Sequence, residues 1–217
     1  MKRLLIVSTS LLLAMPVFAQ TPAAPAKPAA QAPAAAKAGP GTAAVKSAND
    51  KINALLKQKP APGSKEEKDL AAKVTTSVRD FLDIDELGKR AMTNQWSKLA
   101  SAQQTEFLST LRSLIEDNYV RGLRANIDYS VDYNGETTDK DGNIIVTTQI
   151  NTKRHGRPYK IEVDYVLKKD GDKLKAWDVK TDGVGLVENY KTQFNKIIEK
   201  EGFNGLITRM KKKQSAS

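Results

Sequence analysis

The chain has 217 residues, with 35 basic and 25 acidic side chains, one histidine and no cysteine. Without cysteine there is no lipid-modified thiol, disulfide or thiolate metal site, so stability must come from packing. Lys2, Arg3, Lys27 and Lys37 account for four of the formal net charge of +10, leaving +6 for residues 41–217. With no aromatics interleaved in the basic run, that mild excess argues against nucleic-acid binding.

The first elements are not part of a domain. Lys2 and Arg3 precede an apolar run from Leu4 to Met15, and Val17-Phe18-Ala19 follows. This is the layout of a secretory signal over residues 1–19, and its apolar run is too short to span a bilayer. Residues 20–44 hold prolines at 22, 25, 28, 33 and 40 among alanines, with no acidic or aromatic residue. They read as a disordered Ala/Pro tether, because repeated prolines remove donors and clash with preceding turns. Residues 45–213 form the expected folded domain, and 214–217 a disordered tail.

From Val45 the spacing turns helical. Val45, Ile52, Leu55 and Leu56 mark a first helix that stops at Lys59-Pro60-Ala61-Pro62-Gly63. Ser64 with Glu67 is a capping box for a second helix carrying Leu70, Val74, Val78, Phe81 and Leu82. Ile84, Leu87, Ala91 and Met92 predict a short third helix closing near Trp96. Ser101 with Gln104 opens a long fourth helix, with Phe107, Leu108, Leu111, Leu114, Ile115, Tyr119 and Leu123 on one broad face.

At Ile127 the period drops to two. Four runs follow: Ile127 to Tyr133, Ile144 to Ile150, Tyr159 to Leu167, and Trp177 with Val179. The clusters Asp141-Gly142-Asn143, His155-Gly156-Arg157-Pro158 and Asp170-Gly171-Asp172 separate them as turns, giving an antiparallel meander with one tyrosine-rich apolar face. After Gly183 and Gly185 the chain returns to helix with Leu186, Val187, Tyr190, Phe194, Ile197 and Ile198. Gly202 ends that helix, and Phe203, Leu206, Ile207 and Met210 form a last one. The fold class is α+β: a helical N-terminal half, a twisted antiparallel sheet of about four strands and returning C-terminal helices.

No catalytic or metal constellation emerges. His155 is a turn residue with no cysteine partner. Asp139 to Asn143 resembles the start of a calcium loop, but Ile144 and Ile150 stand where glycine and a bidentate glutamate are needed, so it is a hairpin turn. Gly183-Val184-Gly185 lacks a third glycine, since Glu188 occupies that position, and an antiparallel meander precedes it, which excludes a dinucleotide loop. Asp83, Asp85 and Glu86 sit at a helix start, where negative charge complements the dipole.

Several ordered motifs together carry a resemblance. They are the helix after Trp96-Ser97-Lys98-Leu99, the Ala176-Trp177-Asp178-Val179 strand, the Asp182-Gly183-Val184-Gly185-Leu186-Val187 turn, Asn189-Tyr190 with Gln193-Phe194, and the closing Gly202-Phe203 with Gly205-Leu206-Ile207. Over Lys65 to Lys212 the chain resembles the MlaC family of periplasmic phospholipid-binding proteins, also called toluene-tolerance proteins. The Ala/Pro tether is not a feature associated with that family.

The resemblance implies a periplasmic monomer without catalytic residues or cofactor. It would hold phospholipid tails in an apolar cavity between the sheet and its covering helices, and dock in turn with an outer-membrane lipoprotein complex and an inner-membrane ABC transporter complex to maintain outer-membrane lipid asymmetry. The lipid-binding residues expected on the inward faces are Tyr119, Leu123, Tyr129, Val163, Tyr165, Trp177, Val184, Val187, Tyr190 and Phe194, with Val184 matching the hydrophobic position of the family's Gly-Val motif. Two rival readings stand beside this one: a cone-shaped α+β enzyme of the isomerase or dehydratase type, and a carrier of other hydrophobic cargo. The enzyme would need a carboxylate, histidine or tyrosine pair projecting into the cavity, and the inward strand positions read as apolar or tyrosine with no acidic partner in register.

Overall fold

Ordering the first helix requires a cap, and its own sequence provides none. In the computed structural model, which describes residues 38–121, 129–154 and 156–215, α1 runs Pro40–Leu56 with Gly39 at its N-cap and no side-chain cap bond. Glu136 does that work from 94 residues away, accepting hydrogen bonds from the Thr42 N–H at 2.5 Å and the Thr42 hydroxyl at 2.9 Å. The approach is close enough that a Cβ on Gly39 would lie 2.2 Å from the Glu136 carboxylate. The helix therefore starts five residues before the expected Val45. Pro40 opens the first turn, where its missing N–H has no partner to lose. The signal segment, the Ala/Pro stretch before residue 38, Ile127 and His155 lie outside the described residues.

Removing this remote cap tests its strength. Glu136→Ala is expected to lower stability by about 1–3 kcal/mol, the usual cost of stranding donors that had a charged acceptor. A urea midpoint unchanged from that of the parent protein would refute it.

The next helices start where local side chains close their first turn. α2 (Lys65–Phe81) is capped by Ser64, whose hydroxyl accepts from Glu67 N–H at 3.1 Å, while the Glu67 carboxylate accepts from Gly63 N–H at 2.7 Å. α3 (Ile84–Ala91) is capped by Asp83. In α4 (Ser101–Arg121) the expected capping box is displaced by one residue. Ser101 is the first helical residue, Gln103 accepts from Ala100 N–H, and Gln104 instead donates to the carbonyls of Trp96 and Leu99. Arg79 of α2 forks onto the buried Glu116 of α4, tying the two helices together.

Five antiparallel strands follow in the order β1-β2-β3-β4-β5: β1 (Ser130–Thr138), β2 (Ile144–Arg154), β3 (Arg157–Asp170), β4 (Lys173–Thr181) and β5 (Val184–Gly185). The Asp139 turn is a hairpin, its carboxylate accepting from the N–H groups of Asp141 and Asn143. The fifth strand, read from sequence as a loop, exists because Asp182 and Gly183 take φ of 48° and 81°, the left-handed pair of a two-residue type I′ hairpin. Residues directly opposite share a face, so Tyr133, Thr148, Val163, Thr181 and Val184 form one row on the inner surface, and Val146, Tyr165 and Val179 another.

α5 (Leu186–Ser215) returns across this surface and breaks at Gly202, whose φ of 70° suits glycine, where the two expected C-terminal helices meet. Asp178 fixes its start: one carboxylate oxygen accepts from the N–H groups of Val179 at 2.9 Å and Val187 at 3.1 Å. Burial raises this carboxyl above its usual range, partly offset by those same N–H donors. A Cβ on Gly185 would come within 2.7 Å of it, so a larger residue there would displace the carboxylate. Between helices and sheet lies one core, with Phe107, Leu111, Ile150, Leu167, Phe194, Leu206 and Met210 almost fully buried.

Candidate functional site

Tyrosine has an apolar ring and a polar tip, and this chain places five of its six at one end of the layer between sheet and helices. Tyr119 comes from the last turns of α4, Tyr129 and Tyr133 from the start of β1, and Tyr165 from the inner row of β3. Tyr190 joins them from α5, stacked on Phe194 at 5.2 Å between ring centroids. Desolvation pushes the phenols of Tyr119, Tyr129 and Tyr190 up to about 12, and raises those of Tyr133 and Tyr165 as well. Each also responds to a neighbouring phenol or charge: Tyr119 and Tyr190 are coupled, and Tyr165 senses Tyr119, Tyr133 and Tyr129. The hydroxyls therefore share one low-dielectric region and stay neutral at any pH the protein meets in a cell.

Helix α1 supplies the polar partners. Tyr129 donates to the Asn53 side-chain carbonyl, and Asn49 donates to the Tyr133 hydroxyl at 3.3 Å. These two asparagines were missed in the sequence, although a signal was present. Asn49 and Asn53 are four apart and lie among Val45, Ile52 and Leu56, where the stripe should be apolar.

The layer is tight at its centre and less completely buried at this end. Tyr119, Tyr129, Val131, Tyr133, Ile161 and Val187 all pack against the core yet are only half-buried.

The expected lining residues sort into five groups. Tyr119, Tyr129, Tyr165 and Tyr190 come together at this end, and Val187 packs half-buried against the core. Val163 and Phe194, each 1% exposed, are filled core positions behind this end. Val184 lies on the inner face, opposite Thr181, but at the free edge of β5 and 57% exposed, so it is a rim residue. Leu123 lies outside the described residues.

Trp177 requires a correction, because it does not face inward. Val166 pairs with Asp178 and Leu167 with Ala176, which leaves Trp177 as the extra residue of a β-bulge. Its side chain turns away from the core: the indole N–H donates to Asn143 at 3.2 Å, and the Arg90 guanidinium lies over its ring at 4.0 Å. Counting alternately from Val179 cannot detect a bulge.

Chemically, this end presents neutral rings and hydroxyls. Among the described residues no group of three or more His, Asp or Glu is placed to hold a metal ion, and no helix is long and apolar enough to cross a membrane.

Comparison with known proteins agrees with this architecture. Among solved structures the chain is similar to the phospholipid-binding protein from Ralstonia solanacearum in complex with a phospholipid. The TM-score is 0.68 and the identity 24%, over 82% of this chain and 98% of that one. No curated protein matches the chain. The family model described as MlaC protein matches residues 46–212, the greater part of the sequence. The chain therefore belongs to the MlaC family.

Proposed function

We propose that this protein is a periplasmic phospholipid carrier that shuttles lipid between an outer-membrane lipoprotein complex and an inner-membrane ABC transporter complex, and so maintains outer-membrane lipid asymmetry. The observation that carries the reading is the gathering of desolvated, neutral tyrosines from α4, β1, β3 and α5 at one end of the sheet–helix layer. The similar protein from Ralstonia solanacearum, with a phospholipid bound, supports it.

The need for such a carrier is physical. Exposing about thirty methylenes of a two-tailed lipid costs on the order of 25 kcal/mol at ~0.8 kcal/mol each, so free diffusion through water is negligible. A carrier need only match the bilayer's apolar environment, which makes exchange near neutral in free energy. Rings and neutral hydroxyls suit this role: the rings face the chains, and the hydroxyls lie toward Asn49, Asn53 and the polar mouth. No cofactor and no covalent step is involved, and a monomer is the natural form of a shuttle.

The test is an organic extract of protein purified from a periplasmic fraction, analysed by mass spectrometry. Near-stoichiometric diacyl phospholipid is expected. A lipid-free protein that turns over a small substrate would replace this reading with an enzymatic one, and a different apolar molecule would keep the carrier but change its cargo.

A further inference from the structure

The layer between helices and sheet is open at the end opposite the tyrosines. A cleft of about 750 Å³ lies where α1 and α2 meet the β3–β4 hairpin. Its apolar lining is Ala44, Ala48, Phe81, Ile144 and Leu174. The charged groups along it are Lys51, Lys169, Lys173, Asp80 and Asp172. None of the tyrosines of the candidate site lines it. The Phe81 ring, 5.8 Å from that of Tyr165, stands between the two spaces as a partition.

Size and charge narrow the occupant. Taking a methylene as roughly the size of a water, ~30 Å³, a sixteen-carbon chain fills about 480 Å³ and the two chains of a phospholipid about 960 Å³, so the cleft holds one chain and a small head. The volume also falls within the ~300–1,000 Å³ of small-ligand sites. Two opposite-charge groups cancel, since the Lys51 ammonium lies 3.4 Å from Asp80. That leaves Lys169 and Lys173 against Asp172 at the hairpin. Lys169 sits directly across from Leu174 and shares its face, which places its stem along the apolar lining and its ammonium at the mouth.

The geometry points to a second binding site in this cleft, for a single-chain anionic amphiphile: one aliphatic chain against Ala44, Ala48, Phe81, Ile144 and Leu174, with a carboxylate or phosphate held by Lys169, and Lys173 adding positive charge at the hairpin. The site goes beyond the carrier reading and stands apart from it, because filling it does not require the tyrosine-walled space to be empty.

The experiment titrates the purified protein, carrying whatever phospholipid it retains, with palmitate, palmitoyl lysophosphatidylglycerol and the neutral monopalmitoylglycerol, while bound phospholipid is counted by mass spectrometry. At least one anionic probe should bind with one equivalent and at least tenfold more tightly than the neutral one, with the phospholipid count unchanged. The tighter of the two anionic probes identifies the source as a free fatty acid or a lysophospholipid. Ala48→Trp, which fills the cleft, and the surface double variant Lys169→Glu/Lys173→Glu should each weaken this binding at least tenfold. The double variant changes exposed residues only, so it keeps the test informative if the tryptophan disturbs α1. Failure of both anionic probes to bind, equal affinity for the neutral one, one-for-one expulsion of phospholipid, or a double variant that binds as the parent does would overturn the site. Loss of phospholipid from the parent protein would instead count against the carrier reading.

Discussion

Protein carrying Tyr119→Asp should emerge from purification without phospholipid while its far-ultraviolet circular dichroism stays close to that of the parent. Tyr119 lies within α4, so its backbone is already fixed. Its phenol is pushed up to about 12 by desolvation first and by Tyr129 second. A carboxylate at the same point would be charged in a space that penalises charge, and an acyl chain beside it would prevent water from relieving that penalty. The lipid is therefore the partner that leaves. Tyr119→Phe supplies the contrast: it keeps the ring and should keep the lipid. An aspartate variant that retains phospholipid at the parent level would mean that Tyr119 does not line the lipid site.

The same residue shows what was legible in the sequence. Tyr119, Tyr129, Tyr165 and Tyr190 were all expected to face inward, and periodicity suffices for that, because a side chain's face follows from counting along a regular element. Counting fails where an element is irregular. One additional residue in β4 turns Trp177 outward, and nothing in Ala176-Trp177-Asp178-Val179 marks the insertion, since the bulge is defined by pairing with β3. The remote cap of α1 is invisible for a similar reason: Glu136 and Thr42 are brought together by the whole sheet. The fifth strand is different, because its signal was present. Asp182-Gly183 is a favoured type I′ pair, and it followed a strand, yet the glycine at 185 drew the reading toward a helix start. The asparagines of α1 were also readable, as polar residues on an apolar stripe. Motif order over Lys65 to Lys212 identified the family that the match over residues 46–212 shows, because an ordered set of weak motifs retains information that each loses alone.

Phe194→Ala is expected to have the largest effect on stability, about 3–5 kcal/mol, as for other buried Phe→Ala truncations. Phe194 is 1% exposed and makes two ring contacts: edge-on to Phe107 of α4 at 5.5 Å and stacked on Tyr190 at 5.2 Å. Each such contact contributes about 0.5–1.5 kcal/mol beyond the area buried. Trp96 extends the chain of rings to Phe107, so the truncation loosens the junction of α4 and α5 from its centre. Against a domain stability of about 5–15 kcal/mol this is a large fraction, visible as a shift in the urea midpoint with little change in slope. The consequence for function separates core from wall. Phe194 lies behind Tyr190, so its removal should enlarge the space available to tails and leave phospholipid bound at low temperature, where the variant remains folded. If the folded variant instead loses its lipid as completely as Tyr119→Asp, then Tyr190 depends on Phe194 for its position, and the stacked pair acts as one surface of the site.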